Sequence, residues 1–279
     1  MKAYIQLLRP KHCIKNILVV LPLVFSGRLC ERALLGQTAV AFVAFCLVAS
    51  LVYIINDIRD AERDRQHPTK CRRPIASGAV PVPHAVVEAA ILGVVLAALA
   101  LWGRFSWQSW LCLGAYLVLN LGYSMGLKNV PILDIAILVS GFLLRVLFGS
   151  AVTGIATSGW LYLTVTSVAF YMGLSKRRGE LRTSSASTRR VLRYYNDAFL
   201  SQNMQMCLTL TVVFYSLWSV DRGGHLMWTV PLVICICLRY SMTVEGNSDG
   251  DPVEVIFQDK VLLALVCVFG IITLALLYL

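Results

Sequence analysis

The chain has 279 residues, of which 58% are hydrophobic and only 14% charged, and its mean hydropathy is +0.71. Soluble domains carry about 25% charged residues, so this composition excludes a soluble protein and assigns most of the length to membrane spans. The net charge of +10 would suit nucleic acid, but the basic residues are divided among short loops between apolar segments. That distribution argues against a nucleic-acid-binding surface and is typical of the cytoplasmic loops of a membrane protein.

About nine apolar segments are long enough, or nearly so, to cross a bilayer. We therefore expect an all-α integral membrane bundle of about nine transmembrane helices, which forms a single domain over residues 1–279. The first segment is short and contains Pro22. The predicted spans lie near residues 14–30, 37–57, 84–103, 108–126, 131–153, 158–175, 203–220, 226–243 and 261–279.

The loops alternate in charge, and most of the 25 Lys and Arg residues fall on one side of the predicted bundle. This bias places the N-terminus and the long loops in the cytoplasm and the C-terminus outside. Most of the acidic residues lie on the same side, although the positive-inside rule requires only bases there. Acids and bases on one rim indicate an active site that faces the cytoplasm. The protein is expected in the inner or plasma membrane, in contact with its phospholipids.

The nine cysteines do not indicate a disulfide framework or a metal site. Most of them lie inside apolar runs without metal-ligand spacing, so we interpret them as small core hydrophobes. The first apolar run, Ile17 to Phe25, leads into a polytopic chain rather than to a cleavage site. We therefore expect no cleavable signal peptide.

The densest charge in the chain lies between Asn56 and Gly78, directly after the second apolar segment. Asp57, Asp60 and Asp64 stand at i, i+3 and i+7, so that on one helix their carboxylates share a face. Carboxylates bind Mg²⁺, and the bases that follow can hold phosphate, so the pattern predicts a magnesium–diphosphate site. The alternative, a solvated loop, gains nothing from three acids that repel one another.

The other residues of this stretch are assigned supporting roles at the same site. The amide of Asn56 would add a ligand or orient an aspartate. Lys70, Arg72 and Arg73 would hold phosphate oxygens. His67 precedes a proline, so a role in a turn is its simplest interpretation, and we find no plausible catalytic pair of histidines.

Two motifs together resemble the UbiA superfamily of membrane transferases. They are N-D-x-x-D-x-x-x-D, which begins at Asn56, and L-R-P-K-H-C-I-K-N, which runs from Leu8 to Asn16. The resemblance implies nine transmembrane helices and a diphosphate donor bound through Mg²⁺. Most members of this superfamily transfer a prenyl group from a prenyl diphosphate to an aromatic or other acceptor.

Further motifs resemble one branch, the decaprenyl-phosphate phosphoribosyltransferases. That branch transfers a phosphoribosyl group from 5-phosphoribosyl 1-diphosphate to a polyprenyl phosphate. The resemblance covers nearly the whole chain, and its motifs fall in the predicted cytoplasmic loops. These are H-P-x-K-x-x-R-P-I-A-S-G at His67–Gly78, Y-S-x-G-L-K at Tyr123–Lys128, K-R-x-x-E-L at Lys176–Leu181, L-R-Y at Leu238–Tyr240, and G-D-P-V-E with Q-D-K between residues 250 and 260.

One departure from the superfamily pattern supports this branch. Prenyl-transferring members carry a second aspartate-rich motif after the sixth span, where this chain reads S-K-R-R-G-E-L with Glu180 as its only acid. Phosphoribosyl diphosphate carries an additional 5-phosphate and sugar hydroxyls. Lys176, Arg177 and Arg178 would suit that phosphate, and Glu180 would accept a ribose hydroxyl. The alternative is that these bases have no substrate role and only reflect the excess of Lys and Arg in cytoplasmic loops.

The resemblance assigns substrate-binding roles to several residues outside the aspartate-rich stretch. Lys128 would hold the donor diphosphate, and Lys15 and Asn16 would meet the phosphate of the lipid acceptor. Arg145 lies deep in a span, where contact with an acid or lipid phosphate and purely structural pairing are about equally expected. The remaining predicted substrate contacts are Tyr123, Asp134, Glu254 and Asp259.

The predicted function is thus Mg²⁺-dependent phosphoribosyl transfer to a polyprenyl phosphate, with Asp57, Asp60, Asp64 and Lys128 as the catalytic residues. One alternative is a prenyltransferase that moves a polyprenyl chain to an aromatic or quinone-precursor acceptor. A transporter is the alternative from another class, but the charge lies at one rim and only Arg145 stands deep in a span. The length of the acceptor chain and assembly into a homo-oligomer are left open.

Overall fold

A computed structural model describes residues 2–182, 190–245 and 252–279, with the side chains of 252–254 left out. Within these ranges the chain is helical, with no β-strand, which confirms the predicted all-α class. The helices are α1 (Lys2–Leu7), α2 (Leu21–Val24), α3 (Arg32–Arg59), α4 (Ala61–Arg65), α5 (Val82–Trp102), α6 (Trp107–Met125), α7 (Leu133–Thr153), α8 (Gly159–Arg182), α9 (Asp197–Asp221), α10 (Val230–Glu245), α11 (Pro252–Gln258) and α12 (Lys260–Tyr278). Short 3-10 helices cover Pro10–Val20, Lys70–Arg72, Leu127–Asn129, Arg190–Tyr194 and His225–Thr229.

Among the residues that the structure describes, five helical segments are long and apolar enough to cross a membrane: Arg32–Arg59, Val82–Trp102, Leu133–Thr153, His225–Glu245 and Lys260–Tyr278. These segments define an integral membrane protein, because about 20 apolar residues in a helix span the hydrocarbon core. The predicted number of nine spans and the cytoplasmic N-terminus stay predictions. The first predicted span, 14–30, consists of a 3-10 helix and the four-residue helix α2 rather than one long helix.

The chain divides into two compact units, and the first comprises Met1–Met125 and Leu144–Ile155. Its core is centred on Phe45, whose ring contacts those of Tyr116 and Phe148 at centroid distances of 4.8 and 5.5 Å. At Gly149 a Cβ atom would lie only 2.0 Å from the carbonyl oxygen of Val19. Glycine is therefore required where the 3-10 helix of Pro10–Val20 packs against α7.

The second unit comprises Gly126–Leu143 and Ala156–Leu279. Helices α8 and α9 pack together along their lengths, and α10 and α12 complete the packing. Buried residues of the segment before α9, among them Val191, Leu192 and Tyr195, belong to the core of this unit. At Gly173 a Cβ atom would come within 2.8 Å of Ile135, so a small residue brings α8 close to the start of α7. The prediction of a single domain over the whole chain stays a prediction.

Two of the segments between the long helices are themselves helical. One is α11, which precedes α12. The other is the 3-10 helix Arg190–Tyr194, after which a separate helix begins at Asp197. The side chain of Asn196 caps α9 by accepting a hydrogen bond from the backbone N–H of Phe199 at 2.7 Å, which explains why the helix begins there.

Candidate functional site

The aspartate-rich stretch is not one continuous helix, as its spacing predicted. Helix α3 ends at Arg59, and Asp60 has φ −91° and ψ 5° before α4 begins at Ala61. The backbone N–H of Asp60 donates to the carbonyl of Asn56 at 2.9 Å, and that of Asp64 donates to the carbonyl of Asp60 at 2.8 Å. Asp60 therefore interrupts the helix although the hydrogen bonds on either side keep helical spacing, and Asp57 and Asp64 lie on two different helices.

Arg73 joins the carboxylates of Asp57 and Asp64. Its Nη1 atom lies 3.2 Å from Oδ1 of Asp57 and 2.6 Å from Oδ2 of Asp64. Both aspartates are buried, with exposures of 2% and 4%, whereas the side chain of Arg73 is 29% exposed. Buried carboxylates require a cation or several hydrogen bonds to offset the loss of hydration, and Arg73 supplies part of that charge.

Arg9 supplies the second cation at Asp57. Its Nη2 atom lies 2.5 Å from Oδ1 of Asp57, and its guanidinium stacks over the ring of Tyr53 at 4.7 Å. The backbone of Arg9 is left-handed, with φ 52°, which is uncommon for a residue other than glycine. Asp57 thus accepts from two arginines that approach it from different parts of the chain.

The other predicted residues of this stretch lie at the margin of the cluster. The side-chain oxygen of Asn56 accepts a hydrogen bond from Ser124 at 2.6 Å, which ties it to α6. Asp60 is half-buried, whereas Lys70 and Arg72 are exposed on the 3-10 helix that follows. His67 accepts hydrogen bonds in its own turn, from the backbone N–H of Thr69 at 3.3 Å among others, which confirms its role in a turn.

The residues fit Mg²⁺ through two carboxylates rather than through three. In the part of the chain that the structure describes, no three His, Cys, Asp or Glu side chains are grouped so that they could hold a metal ion. Mg²⁺ usually binds through one or two carboxylates and completes its shell with water and substrate phosphates. One carboxylate oxygen of Asp57 and one of Asp64 contact the same nitrogen of Arg73. These two hard oxygen ligands are therefore close enough together to bind one Mg²⁺ ion.

Asn16 and Arg145 belong to a buried polar cluster in the same unit. Asn16 donates from its amide nitrogen to Sγ of Cys46 at 3.1 Å and accepts from Nε of Arg145 at 2.8 Å. Arg145 also donates to the hydroxyl of Tyr116 at 3.2 Å and lies 4.9 Å from the ring centroid of Phe45. Arg145, whose role the sequence left open, therefore makes structural contacts, and Asn16 is enclosed with it. Lys15, beside Asn16, is half-buried.

The second unit contains a different acid–base cluster, centred on Asp134 in the first turn of α7. Its Oδ2 atom accepts from Nε of Arg177 at 2.5 Å, and its Oδ1 atom accepts from the hydroxyl of Tyr195 at 2.6 Å. Arg177 also contacts Glu180 at 2.6 Å, and the side chains of Asp134 and Arg177 are both 0% exposed. Burial and the hydrogen bond to Asp134 raise the pKa of Tyr195 to about 12.

Arg178, the next residue on α8, also makes contacts within the protein. It donates to Asp197 at 3.0 Å and to Glu245 at 3.1 Å, and Arg182 shares Asp197. The hydrogen bonds from Arg178 and Arg182 hold the pKa of Asp197 below its ordinary value. Two of the three bases predicted to meet an extra phosphate, Arg177 and Arg178, are thus engaged with carboxylates, while Lys176 is half-buried.

The remaining predicted residues are distributed over both units. Asp259 caps α12 by accepting from the backbone N–H of Val261 at 2.9 Å, and Arg239 and Thr243 donate to its other side. These two side chains hold its pKa below the ordinary value. Glu254 lies outside the described side chains. Tyr123 and Lys128 are half-buried, the first on α6 and the second on the 3-10 helix Leu127–Asn129.

Two residues of these clusters are not among the predicted site residues. Arg9 stands in the L-R-P-K-H-C-I-K-N motif, and it contacts the first aspartate of the aspartate-rich stretch. Tyr195 follows the segment Arg190–Tyr194 and lies outside the quoted motifs. The helical spacing of Val191, Leu192 and Tyr195, which are all buried, was the available signal that this residue faces the protein interior.

The helices and the arginine-bound carboxylates define an integral membrane protein with a candidate site for a cation and an anionic substrate. The family model described as the UbiA prenyltransferase family matches residues 23–267. The chain therefore belongs to the UbiA prenyltransferase family.

Curated relatives carry a more specific name. A decaprenyl-phosphate phosphoribosyltransferase of Corynebacterium glutamicum is 37% identical to this chain, and the match covers 96% of this chain and 85% of the relative. A protein of the same name from Mycobacterium tuberculosis is 35% identical, with 92% and 88% covered. Among solved structures, a UbiA homologue from Archaeoglobus fulgidus bound to GPP and Mg²⁺ has a TM-score of 0.71 at 16% identity. The match covers 98% of this chain and 99% of that one, and it confirms the fold.

Proposed function

We propose that the protein transfers the 5-phosphoribosyl group of 5-phospho-α-D-ribose 1-diphosphate to a polyprenyl phosphate such as decaprenyl phosphate. The observation that carries this proposal is the 37% identity, over nearly the whole chain, to a relative named decaprenyl-phosphate phosphoribosyltransferase. The buried pair of Asp57 and Asp64 with its two arginines supports it, because a diphosphate donor needs both a cation site and bases.

In this proposal Asp57 and Asp64 would hold Mg²⁺ directly, and Asp60, the third acid of the motif, would act through a water molecule of the metal's shell. Bound there, the metal would stabilise the negative charge that develops on the leaving diphosphate. Arg73 and Arg9 are partly exposed, at 29% and 21%, so both guanidinium groups have room to turn from the carboxylates toward phosphate oxygens. Planar guanidinium groups bind phosphate in the same bidentate way as carboxylate.

The transfer itself exchanges one bond for another. An oxygen of the polyprenyl phosphate attacks C1 of the ribose, while the bond from C1 to the diphosphate oxygen breaks and its electron pair leaves with the diphosphate. Because the attacking phosphate is already anionic near neutral pH, no strong general base is required. Attack in line with the leaving group on an α-configured donor gives a β-linked product, through an oxocarbenium-like transition state.

Several roles for other residues form part of the proposal. Lys128 and Lys176 are assigned to anionic groups of the donor, and Lys15 to the phosphate of the lipid. We further propose that the reacting groups meet at the cytoplasmic face of the membrane, where the donor is supplied in solution.

The name of the family keeps one alternative open, which is transfer of a prenyl group to an aromatic acceptor. The segment after Ser175 supports the first proposal over this one, because its sequence K-R-R-G-E-L contains a single acid. A second metal-bound diphosphate contact would find only one carboxylate ligand, Glu180, in that segment. The two reactions differ in donor and product, so one assay separates them.

The test uses purified protein in detergent with Mg²⁺, phosphoribosyl diphosphate labelled in the ribose, and decaprenyl phosphate. We expect label in the lipid fraction, lost on chelation and in Asp57→Asn. Glu62→Gln is the matched control, because Glu62 is an exposed acid in the same stretch, and it should retain activity. Turnover of a prenyl diphosphate with an aromatic acid, and no labelled lipid, would contradict the proposal.

A further inference from the structure

Ile132 has an unusual backbone conformation, with φ 66°. A β-branched residue with positive φ is a genuine outlier, because its side chain crowds the adjacent carbonyl. Such strain persists only where the surroundings enforce it, and it is concentrated at sites that position functional groups. The side chain of Ile132 is exposed, so side-chain packing does not explain why this conformation is kept.

The hydroxyl of Tyr195 holds this backbone in place. The backbone N–H of Ile132 donates to the Tyr195 oxygen at 2.7 Å, and the Tyr195 hydroxyl donates in turn to Oδ1 of Asp134 at 2.6 Å. The carbonyl of Ile132 accepts from the N–H of Ala136 at 2.8 Å, at the start of α7. Both backbone polar groups of the strained residue are therefore satisfied, and one depends on a single side-chain oxygen.

Asp134 is itself fixed by a buried ion pair. Arg177 of α8 donates to its second carboxylate oxygen at 2.5 Å, and neither side chain is exposed. Gly173, one turn earlier on α8, allows Ile135 to approach closely. Asp134 cannot move away from Tyr195 without breaking its ion pair with Arg177. The Tyr195 hydroxyl is therefore held in the orientation in which it donates to Asp134 and accepts from the backbone N–H of Ile132.

The strained residue ends a short loop that carries Lys128. This loop forms a 3-10 helix, Leu127–Asn129, in which the N–H of Asn129 donates to the carbonyl of Gly126 at 2.9 Å. The same 3-10 helix packs against the segment Arg190–Tyr194, which leads directly to Tyr195. Pro131 further restricts the chain between Lys128 and Ile132. A change of backbone at Ile132 is therefore transmitted to the position of Lys128.

We propose that Tyr195 is a positioning residue, whose hydroxyl holds Ile132 in its left-handed conformation and thereby fixes the loop that presents Lys128 to the anionic donor. This inference rests on the proposed function, in which Lys128 contacts the diphosphate. Tyr195 acts on the loop and has no contact with the reacting atoms, so its loss should weaken donor binding more than it slows the chemical step.

The experiment measures kcat and KM for phosphoribosyl diphosphate at saturating decaprenyl phosphate. Tyr195→Phe removes the hydroxyl but keeps the ring, which stacks on Phe199 at 6.0 Å. We expect KM to rise about tenfold, with kcat changed less than about twofold, as expected for one released strained residue. Tyr194→Phe is the matched control, since Tyr194 is an exposed neighbour, and it should leave both constants unchanged.

A second variant tests the mechanism. Glycine adopts positive φ without strain, so Ile132→Gly added to Tyr195→Phe should recover at least half of the lost affinity. This double variant also relieves the requirement for the hydroxyl if Tyr195→Phe alone folds poorly. The inference is overturned if Tyr195→Phe leaves KM unchanged, if kcat falls instead, or if the glycine gives no recovery. An inactive wild-type protein would instead contradict the proposed function.

Discussion

Two of the acid–base clusters, one in each unit, differ in how firmly their arginines are held. At Asp57 and Asp64 the carboxylates are buried, but Arg9 and Arg73 are partly exposed and approach from the surface. At Asp134 the arginine and the carboxylate are both fully buried, and a tyrosine hydroxyl completes the shell. Solvent-accessible cations can be exchanged for a metal or a substrate, whereas a fully buried pair is costly to break. The first cluster therefore suits ligand exchange, and the second suits a fixed support.

The largest predicted effect on stability breaks the fixed cluster. Arg177→Met would leave Asp134 as an unpaired buried charge, and we expect the free energy of unfolding to fall by about 3–5 kcal/mol. Thermal unfolding of the detergent-purified protein measures this. The matched control is Arg182→Gln on the same helix, whose exposed pair with Asp197 should contribute about 0–1 kcal/mol. Equal losses in the two variants would remove the distinction between the clusters.

The next effect is on catalysis at the exchangeable cluster. Asp57→Asn removes a carboxylate that we assign to the metal, and we expect the rate of phosphoribosyl transfer to fall by about 100-fold or more. Stability should change less than in Arg177→Met, because Arg9 and Arg73 can return to solvent. Activity and unfolding temperature are measured on the same preparation. A variant whose unfolding temperature falls while its specific activity stays at the wild-type level would assign Asp57 a structural role instead.

A smaller effect should reveal exchange of Arg9. In chelator, Arg9→Gln removes one of the two cations at Asp57, and we expect a loss of about 1–2 kcal/mol in the free energy of unfolding. In saturating Mg²⁺ the metal would supply the missing charge, so the difference from wild type should shrink. Unfolding is followed in both conditions. A difference that is independent of Mg²⁺ would contradict exchange at this carboxylate.

The smallest expected effect concerns the pH dependence of stability at Asp259. Its folded pKa lies below the ordinary value of 3.8 because Arg239 and Thr243 stabilise the ionised form. The contribution of such a group is fully present above the unfolded pKa and is lost as pH falls through the folded one. The stability difference between wild type and Asp259→Asn should therefore be largest near neutral pH and decrease below about pH 4. Unfolding measured from pH 6 to 3 tests this, and a difference that grows toward acid would contradict it.

The fold class followed directly from the apolar segments, since length and composition alone specify membrane helices. The interruption of the helix at Asp60 could not be predicted from spacing, because the acids fit a continuous helix equally well. The motif itself indicated Asp57, Asp64 and Arg73 as one site, and the structure brings these three together. Their roles in metal and substrate binding stay predictions.

The predictions for the second unit show where sequence patterns are insufficient. Arg177 and Asp134 were both predicted to bind the substrate. They instead form a buried pair with each other, although they lie 43 positions apart in the chain. A long-range pairing of this kind leaves no periodic signal, because it depends on how α7 and α8 pack. Arg145 and Asn16 illustrate the same limit, being 129 positions apart. Charge in a motif indicates a polar site without indicating which charges neutralise each other.

The most direct test of the account is the chemical identity of the lipid product. Protein reconstituted in liposomes is given Mg²⁺, phosphoribosyl diphosphate and decaprenyl phosphate. The lipid fraction is then analysed by mass spectrometry, and the released diphosphate is quantified in the same reaction. We predict a phosphoribosylated decaprenyl phosphate formed in equal amounts with diphosphate, and neither product in Asp57→Asn or in chelator. Unmodified decaprenyl phosphate, together with prenylation of an aromatic acid by the same preparation, would contradict phosphoribosyl transfer.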